Sequence, residues 1–192
     1  MRMFRLPRGA RAGYLSISAA VLLFAAVFRP AAEGAERAVF VELSGVPNLY
    51  RVTENLYRSA QPTRTGFRNL EAMGVRTVVN LRSFHRDDVS GTGLRLINVP
   101  MHAWDPEMDE VLRVMRVLSD EEGGPYLVHC QHGADRTGMV TALYRMVFQG
   151  WSGDDAISEM TDGGFGYHAV WIEIPKFLRG ADVERIKKDT NR

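Results

Sequence analysis

The chain has 192 residues, 45% of them hydrophobic and 24% charged, enough for one globular domain with a real core and too few for several. Its formal charge of +1 conceals an asymmetry. Of 24 basic and 23 acidic residues, five arginines and one glutamate fall in the first 35 positions, leaving 19 basic against 22 acidic residues, about −3, over 36–192. That balance offers no basic face for nucleic acid, and a single cysteine excludes an internal disulfide.

Arg2, Arg5, Arg8 and Arg11 precede an apolar run from Tyr14 to Phe28, and small residues follow it. Charged, apolar and small-residue stretches in that order form a secretory signal, with a cut expected near Gly34 or Ala35 and export to the periplasm as the consequence. Neither position completes an Ala-x-Ala pattern. A retained signal anchor through residues 14–28, attaching the chain to the membrane, is the alternative, although the run is short for a span. No cysteine lies there to carry a lipid. Residues 36–192 are expected to form one domain.

Within that domain, NLYRVTENLYRSA (48–60) has strand spacing on both sides of a Glu54-Asn55 turn. TRTGFRNLEAMG (63–74) follows with a Thr63 cap, apolar Phe67, Leu70 and Met73, and a Gly74 stop, which predicts a helix. VRTVVNLR (75–82) and LRLINVPM (94–101) read as buried strands. Between them SFHRDDVSGTG (83–93) is the one long polar connection, and its charges suggest a solvated loop. Residues 105–124 carry Val111, Leu112, Met115 and Leu118 along one face, start with acids and end at paired glycines, hence a helix. PYLVHC (125–130) is a strand and RTGMVTALYRMVFQG (136–150) a helix; further helices are expected near 152–160, 168–179 and 181–189. Strand and helix alternate, which predicts an α/β fold with a mainly parallel central sheet flanked by helices.

The chemistry concentrates in YLVHCQHGADRTGMV (126–140). Ligands of parallel sheets collect beyond the carboxyl ends of strands, and Cys130 stands at such an end. Gln131, His132, Gly133, Ala134 and Asp135 can wrap their N–H groups into an anion-binding nest, with Gly133 letting the backbone turn. The positive field of that nest and of the helix start favours thiolate over thiol, which makes a nucleophile. Arg136 adds a planar fork for two phosphate oxygens. Sulfur attack on a phosphate ester is the chemistry these residue types share.

HCQHGADRTG, residues 129–138, matches His-Cys-x5-Arg-Ser/Thr-Gly and thereby resembles the cysteine-dependent protein tyrosine and dual-specificity phosphatases. LYRSAQPTRTGFRNLEAMGVRTVVNLR is similar to their compact bacterial, plant and fungal members, and the likeness extends over roughly 48–150. The resemblance implies that Cys130 forms the phosphocysteine, Arg136 binds phosphate with the 131–135 loop, His129 orders that loop and Thr137 assists thiolate departure. It implies no metal and no cofactor. It also implies a phosphorylated protein or small phosphoester as partner, with phosphotyrosine or phosphoserine/phosphothreonine in proteins as substrate.

The family also needs a carboxylic acid for the leaving group. Asp105 in MHAWDPEMDE is the candidate, although the larger tyrosine phosphatases carry the order Trp-Pro-Asp where this chain has Trp104-Asp105-Pro106. Asp105 can equally cap the following helix. Asp135 is the rival acid, with Asp109 and His102 behind it. Arg58 and Arg82 lie at strand ends that either face the site or pair inside the fold, and His132 either touches substrate or faces solvent. Trp151, Trp171, Phe165 and Tyr167 read as packing residues, and DGGFGYH (162–168) as a loop near the site. Phosphoinositides or inositol polyphosphates are alternative substrates, disfavoured by the lack of Lys or Arg at Gln131, His132, Ala134 and Asp135. A rhodanese-like sulfurtransferase is the alternative of another class. A zinc site built from HCQH with His102 lacks a complete ligand set.

Overall fold

The structure, a computed structural model, describes residues 36–190. The expected signal segment, 1–35, lies outside the described residues. Among the described residues a six-stranded sheet has the order β1-β2-β3-β6-β4-β5, built from β1 (Val39–Phe40), β2 (Tyr50–Thr53), β3 (Leu56–Ser59), β4 (Thr77–Asn80), β5 (Arg95–Asn98) and β6 (Tyr126–His129). The first three strands are antiparallel; β3, β6, β4 and β5 run parallel. The alternating α/β architecture expected from the pattern is the one observed. Strand β1 was not expected, being two exposed residues paired only with β2.

Strand β6 lies between β3 and β4, and all four of its residues are buried. Its side chains alternate between two cores. Leu127 joins Phe67 and Leu70 of α1 (Arg64–Ala72) on one face, while Tyr126 and Val128 join Val111 and Met115 of α2 (Met108–Leu118) on the other. Val78 and Val79 of β4 divide in the same way, as a period of two requires. Helix α3 (Asp135–Phe148) is buried on nearly every side, because α4 (Gly153–Asp162), α5 (Glu173–Arg179) and α6 (Val183–Thr190) pack around it. Its Arg145 is buried but answered by Glu159 through bonds of 2.8 and 2.7 Å. Truncating either partner would strand a buried charge at a cost of about 3–5 kcal/mol.

Two helices are shorter than the pattern suggested. Helix α2 starts only at Met108, since Pro106 holds Asp105 out of helical geometry, and it ends at Ser119, whose N–H bonds the Met115 carbonyl. The Asp120 carboxylate then accepts from the Glu122 and Gly123 amides and starts a separate 3-10 turn over Glu121–Gly123. Helix α5 begins at Glu173 because His168, expected at its start, is held elsewhere: its N–H donates to the Asp135 carboxylate at 2.9 Å.

The register places the site. Ser59 and Asn80 both pair with His129, and Asn80 also pairs with Asn98, so four parallel strands end abreast. Cys130 leaves the middle of that edge.

Candidate active site

The loop after β6 is built by its carbonyls. Gln131 O accepts from the Gln61 amide at 3.2 Å, His132 O from Asn48 Nδ2 at 2.9 Å and Gly133 O from Arg58 Nη2 at 2.7 Å. His129 Nδ1 lies 3.3 Å from Cys130 O. With these oxygens drawn outward, none of the 131–136 amides is spent on a protein acceptor among the described residues. The donors are thus free for an anion at the start of α3. Gly133 has φ +70°, and a Cβ there would run into the Ser59 and Ala60 backbone, so the turn against β3 requires glycine.

Cys130 is 1% exposed, so its side chain is almost sealed from solvent. Arg136, half-buried in the first turn of α3, places Nη1 3.4 Å from Met101 O and lines the cleft above the loop. Arg58 is buried below. Burial pushes its guanidinium down to about 10, while the nearby Glu159 carboxylate opposes that shift and Arg145 adds to it. It therefore remains a cation at neutral pH, stacked 3.8 Å from the centre of the Phe165 ring, and puts fixed positive charge under the loop. The Thr137 hydroxyl, one residue beyond Arg136, is buried without a hydrogen-bond partner among the described residues.

His129 is held from behind. Its Nε2 lies 2.8 Å from Asp87 Oδ2, both side chains being fully buried, and Asp87 Oδ1 accepts from Gln61 Nε2 at 2.7 Å. Gln61 Oε1 in turn accepts from Arg82 Nη1 at 2.9 Å. Burial pushes the Asp87 carboxyl up, but the hydrogen bond and charge of His129, with Gln61 and His85, outweigh it and hold the group below its usual range. Asp87 corrects the expectation that 83–93 is only a solvated loop. Asn48, at φ +55°, is the other residue that the pattern did not reveal. Arg58 and Arg82 both serve the site, and neither forms an ion pair among the described residues.

The cleft has a volume of about 400 Å³; Gln131, His132, Asp135 and Arg136 form one wall and Arg82, Phe84, His102 and Trp104 another. Trp171, expected only to pack, also lines it, with its ring 6.3 Å from that of Trp104. Phe165, Tyr167 and Trp151 do pack, Phe165 being 3% exposed. Asp135 is buried, and its carboxylate accepts from the His168 N–H at 2.9 Å and lies 2.9 Å from His168 Nδ1. The 162–168 loop is thereby clasped to the site.

Asp105 stands apart. It is exposed and lines a neighbouring depression with Pro106, Glu173 and Lys176. The cap reading of Asp105 fails, since Glu107 occupies the cap of α2, without a side-chain bond. Asp109 lies in that helix's exposed first turn, and His102 stacks on Trp104 at 4.4 Å. The zinc arrangement with His102 is not formed. His132, Asp135 and His168 instead bring one ligand atom each within 4.8 Å of one another. They stand beside Arg136 and the free amides, a field that opposes a cation.

A buried cysteine, an arginine and a ring of free amides at the carboxyl edge of a parallel sheet define a phosphate-binding loop of the cysteine phosphatase kind. A family model described as a DSP-PTPase phosphatase fused to NAD+ kinase matches residues 47–168. The chain belongs to this phosphatase family. It is 41% identical over 145 residues to the dual specificity protein phosphatase TpbA of Pseudomonas aeruginosa, a match covering 73% of this chain and 65% of TpbA. The chain therefore spans just under two thirds of that relative. The crystal structure of P. aeruginosa TpbA superposes with a TM-score of 0.71 at 37% identity, over 81% of this chain and 97% of the other. Inositol diphosphatase DSP5 of Arabidopsis thaliana is 28% identical over 74% of this chain and 73% of its own. The catalytic core of the S. cerevisiae PP-IP phosphatase SIW14, at 21% identity and TM-score 0.67 over 78% and 94%, shares the fold.

Proposed function

We propose that the chain hydrolyses phosphomonoesters through a phosphocysteine at Cys130, acting on phosphotyrosine, or phosphoserine and phosphothreonine, in proteins. The observation that carries this reading is the loop itself, whose carbonyls are drawn to outside donors while its amides stay free above a buried sulfur. TpbA, which has been crystallised with phosphotyrosine, supports the substrate class. The absence of Lys and Arg at positions 131, 132, 134 and 135 argues against a polyphosphate. Family membership removes the ground for a sulfurtransferase.

In the first step the Cys130 thiolate forms an S–P bond as the ester P–O bond breaks. The amides of 131–136 and the Arg136 fork hold the non-bridging oxygens, whose charge shifts in the transition state. Asp105 gives its proton to the departing oxygen. In the second step water forms the new P–O bond, Asp105 takes its proton, and the S–P bond breaks, returning sulfur as thiolate with the Thr137 hydroxyl as donor. Asp105 reaches the ester by movement of residues 102–107 over the loop. His129 and Asp87 fix the loop and take no proton.

The proposal extends to location. The Arg-rich start and the apolar run 14–28 support an exported protein, free in the periplasm or held by that run at the membrane. Fractionation of cells making the full chain tests this, and recovery of intact chain in the cytosol rejects it. Activity is tested by phosphate release across phosphopeptides, phosphoinositides and inositol phosphates, with vanadate as inhibitor. Release from phosphopeptides that vanadate abolishes is expected. Vanadate-insensitive release, or release only from inositol phosphates, overturns the reading.

A further inference from the structure

Three of the large apolar side chains that the described chain exposes, Phe84 (94%), Val170 (73%) and Trp104 (59%), line the catalytic cleft. Burial does not account for them, and concentrated exposure of this kind marks a contact surface. Phe84 and Trp104 belong to a row of ring contacts: Phe84 to His102 at 6.2 Å, His102 to Trp104 at 4.4 Å, Trp104 to Trp171 at 6.3 Å. Aromatic partners sit about 4.5–7 Å apart, so one phosphotyrosyl ring can meet two of these rings at most. The ends of the row are left for something else.

We infer that the rim formed by Phe84, Trp104, Val170 and Trp171 is a subsite for large apolar side chains two positions before and after the phosphotyrosine of a substrate polypeptide. The inference rests on the phosphatase reading. A phosphate seated at Arg136 leaves the tyrosyl ring beside residues 101–104, because Arg136 contacts Met101 O. In an extended chain, residues two apart share a face at about 6.7 Å, close to the steps from the central His102–Trp104 pair to Phe84 and to Trp171. Charge gives an acidic flank little to meet. The arginines of the cleft are Arg136, taken by phosphate, and the half-buried Arg82, whose Nη1 donates to Gln61. The domain's charge of about −3 also disfavours an acidic segment.

The test compares two phosphotyrosyl peptides of equal length and charge, with Leu or Ser at the −2 and +2 positions. Full-length protein and its Phe84→Ser and Val170→Ser variants are used, with p-nitrophenyl phosphate turnover of each preparation as reference. The Leu peptide is expected to lead by about tenfold in kcat/KM, through KM, and the ratio to fall toward one in each variant. Binding of both peptides to Cys130→Ser reads the same preference without turnover. Equal binding and equal kcat/KM, with p-nitrophenyl phosphate still hydrolysed, overturns the subsite and leaves the phosphatase standing. A binding preference with no hydrolysis of any ester keeps the subsite and overturns the phosphatase. Absence of peptide preference, together with weaker association of Phe84→Ser than wild type with phospholipid vesicles, overturns the subsite in favour of a lipid surface.

Discussion

The loops at 130–136 and 102–107 leave neighbouring regions of one sheet edge, yet they are held in opposite ways. The first has its carbonyls tied to β3, to Asn48 and to Gln61, and its cysteine is 1% exposed. The second carries an exposed Asp105 and a Trp104 that is 59% exposed, and is anchored mainly where Ser83 Oγ donates to Met101 O at 3.0 Å. An anion receptor gains from being fixed beforehand, since dipoles already in place need no reorganisation as charge moves. A proton donor that must also admit water gains from mobility. On the proposed mechanism the difference separates the part of the site that recognises from the part that arrives.

The sharpest way to break the comparison is to remove the centre of the fixed loop. Cys130→Ser should lower turnover by a factor of about 10⁴ or more while still binding vanadate or phosphate, because the amides and Arg136 remain. Arg136→Lys should cost about 10²–10³, a point charge replacing a fork. Phosphate release and vanadate titration on both proteins check this. Substantial metal-independent turnover by Cys130→Ser would falsify the covalent route.

On the mobile side, Asp105→Asn should depress turnover of alkyl and phenyl esters by about 10²–10³, and far less for an ester whose leaving group departs unprotonated. The measurement is the slope of rate against leaving-group acidity, which should steepen. Glu110 is the group to watch if it does not. Burial, with the negative charges of Glu107 and Asp105, raises its carboxyl despite opposition from His102 and Arg113, and one of its oxygens is buried without a partner.

Asp87→Asn probes how the fixed loop is held from behind. It removes the charge facing His129, so turnover should fall about tenfold and stability by about 1–3 kcal/mol. The pH dependence has a definite sign. A carboxyl held below its usual range contributes stability that is complete above that range and is lost as pH falls through the folded value. The gap between wild type and variant should therefore be widest near neutrality and close below about pH 4, as read by denaturant unfolding across pH.

What could be read beforehand follows the range of the interactions. The strand, turn and helix around Cys130 are local, and periodicity with the Gly133 turn was sufficient to place them. Asp87 and His129 are 42 residues apart, Arg58 and Gly133 75, Asn48 and His132 84. No pattern within a window joins such pairs, and a run as polar as SFHRDDVSGTG looks solvated until the fold buries one of its acids. Helix α2 shows the converse, a periodic face continued through Pro106 by pattern but stopped by backbone chemistry. Asp105, which the pattern put at the start of that helix, lies ahead of it instead, and its separation from the cleft arises only in three dimensions.

The smallest effect, and the one that refines the boundary between the two loops, belongs to Asp135. As a rival acid it would have made the fixed loop supply its own proton, erasing the division of labour. In the structure its oxygens are taken by the His168 N–H and ring, so it secures the 162–168 segment against the first turn of α3. Asp135→Asn keeps the shape and one acceptor, and His168→Ala removes the ring while leaving the backbone bond. Each should cost about 0.5–1.5 kcal/mol, a fall in Tm of about 1–6 °C for a domain of this size, and at most a few-fold in turnover. The leaving-group slope should match that of wild type in both, because neither residue carries the transferred proton. A steeper slope for Asp135→Asn, alongside an unchanged slope for Asp105→Asn, would move the acid into the fixed loop and leave residues 102–107 with substrate contact alone.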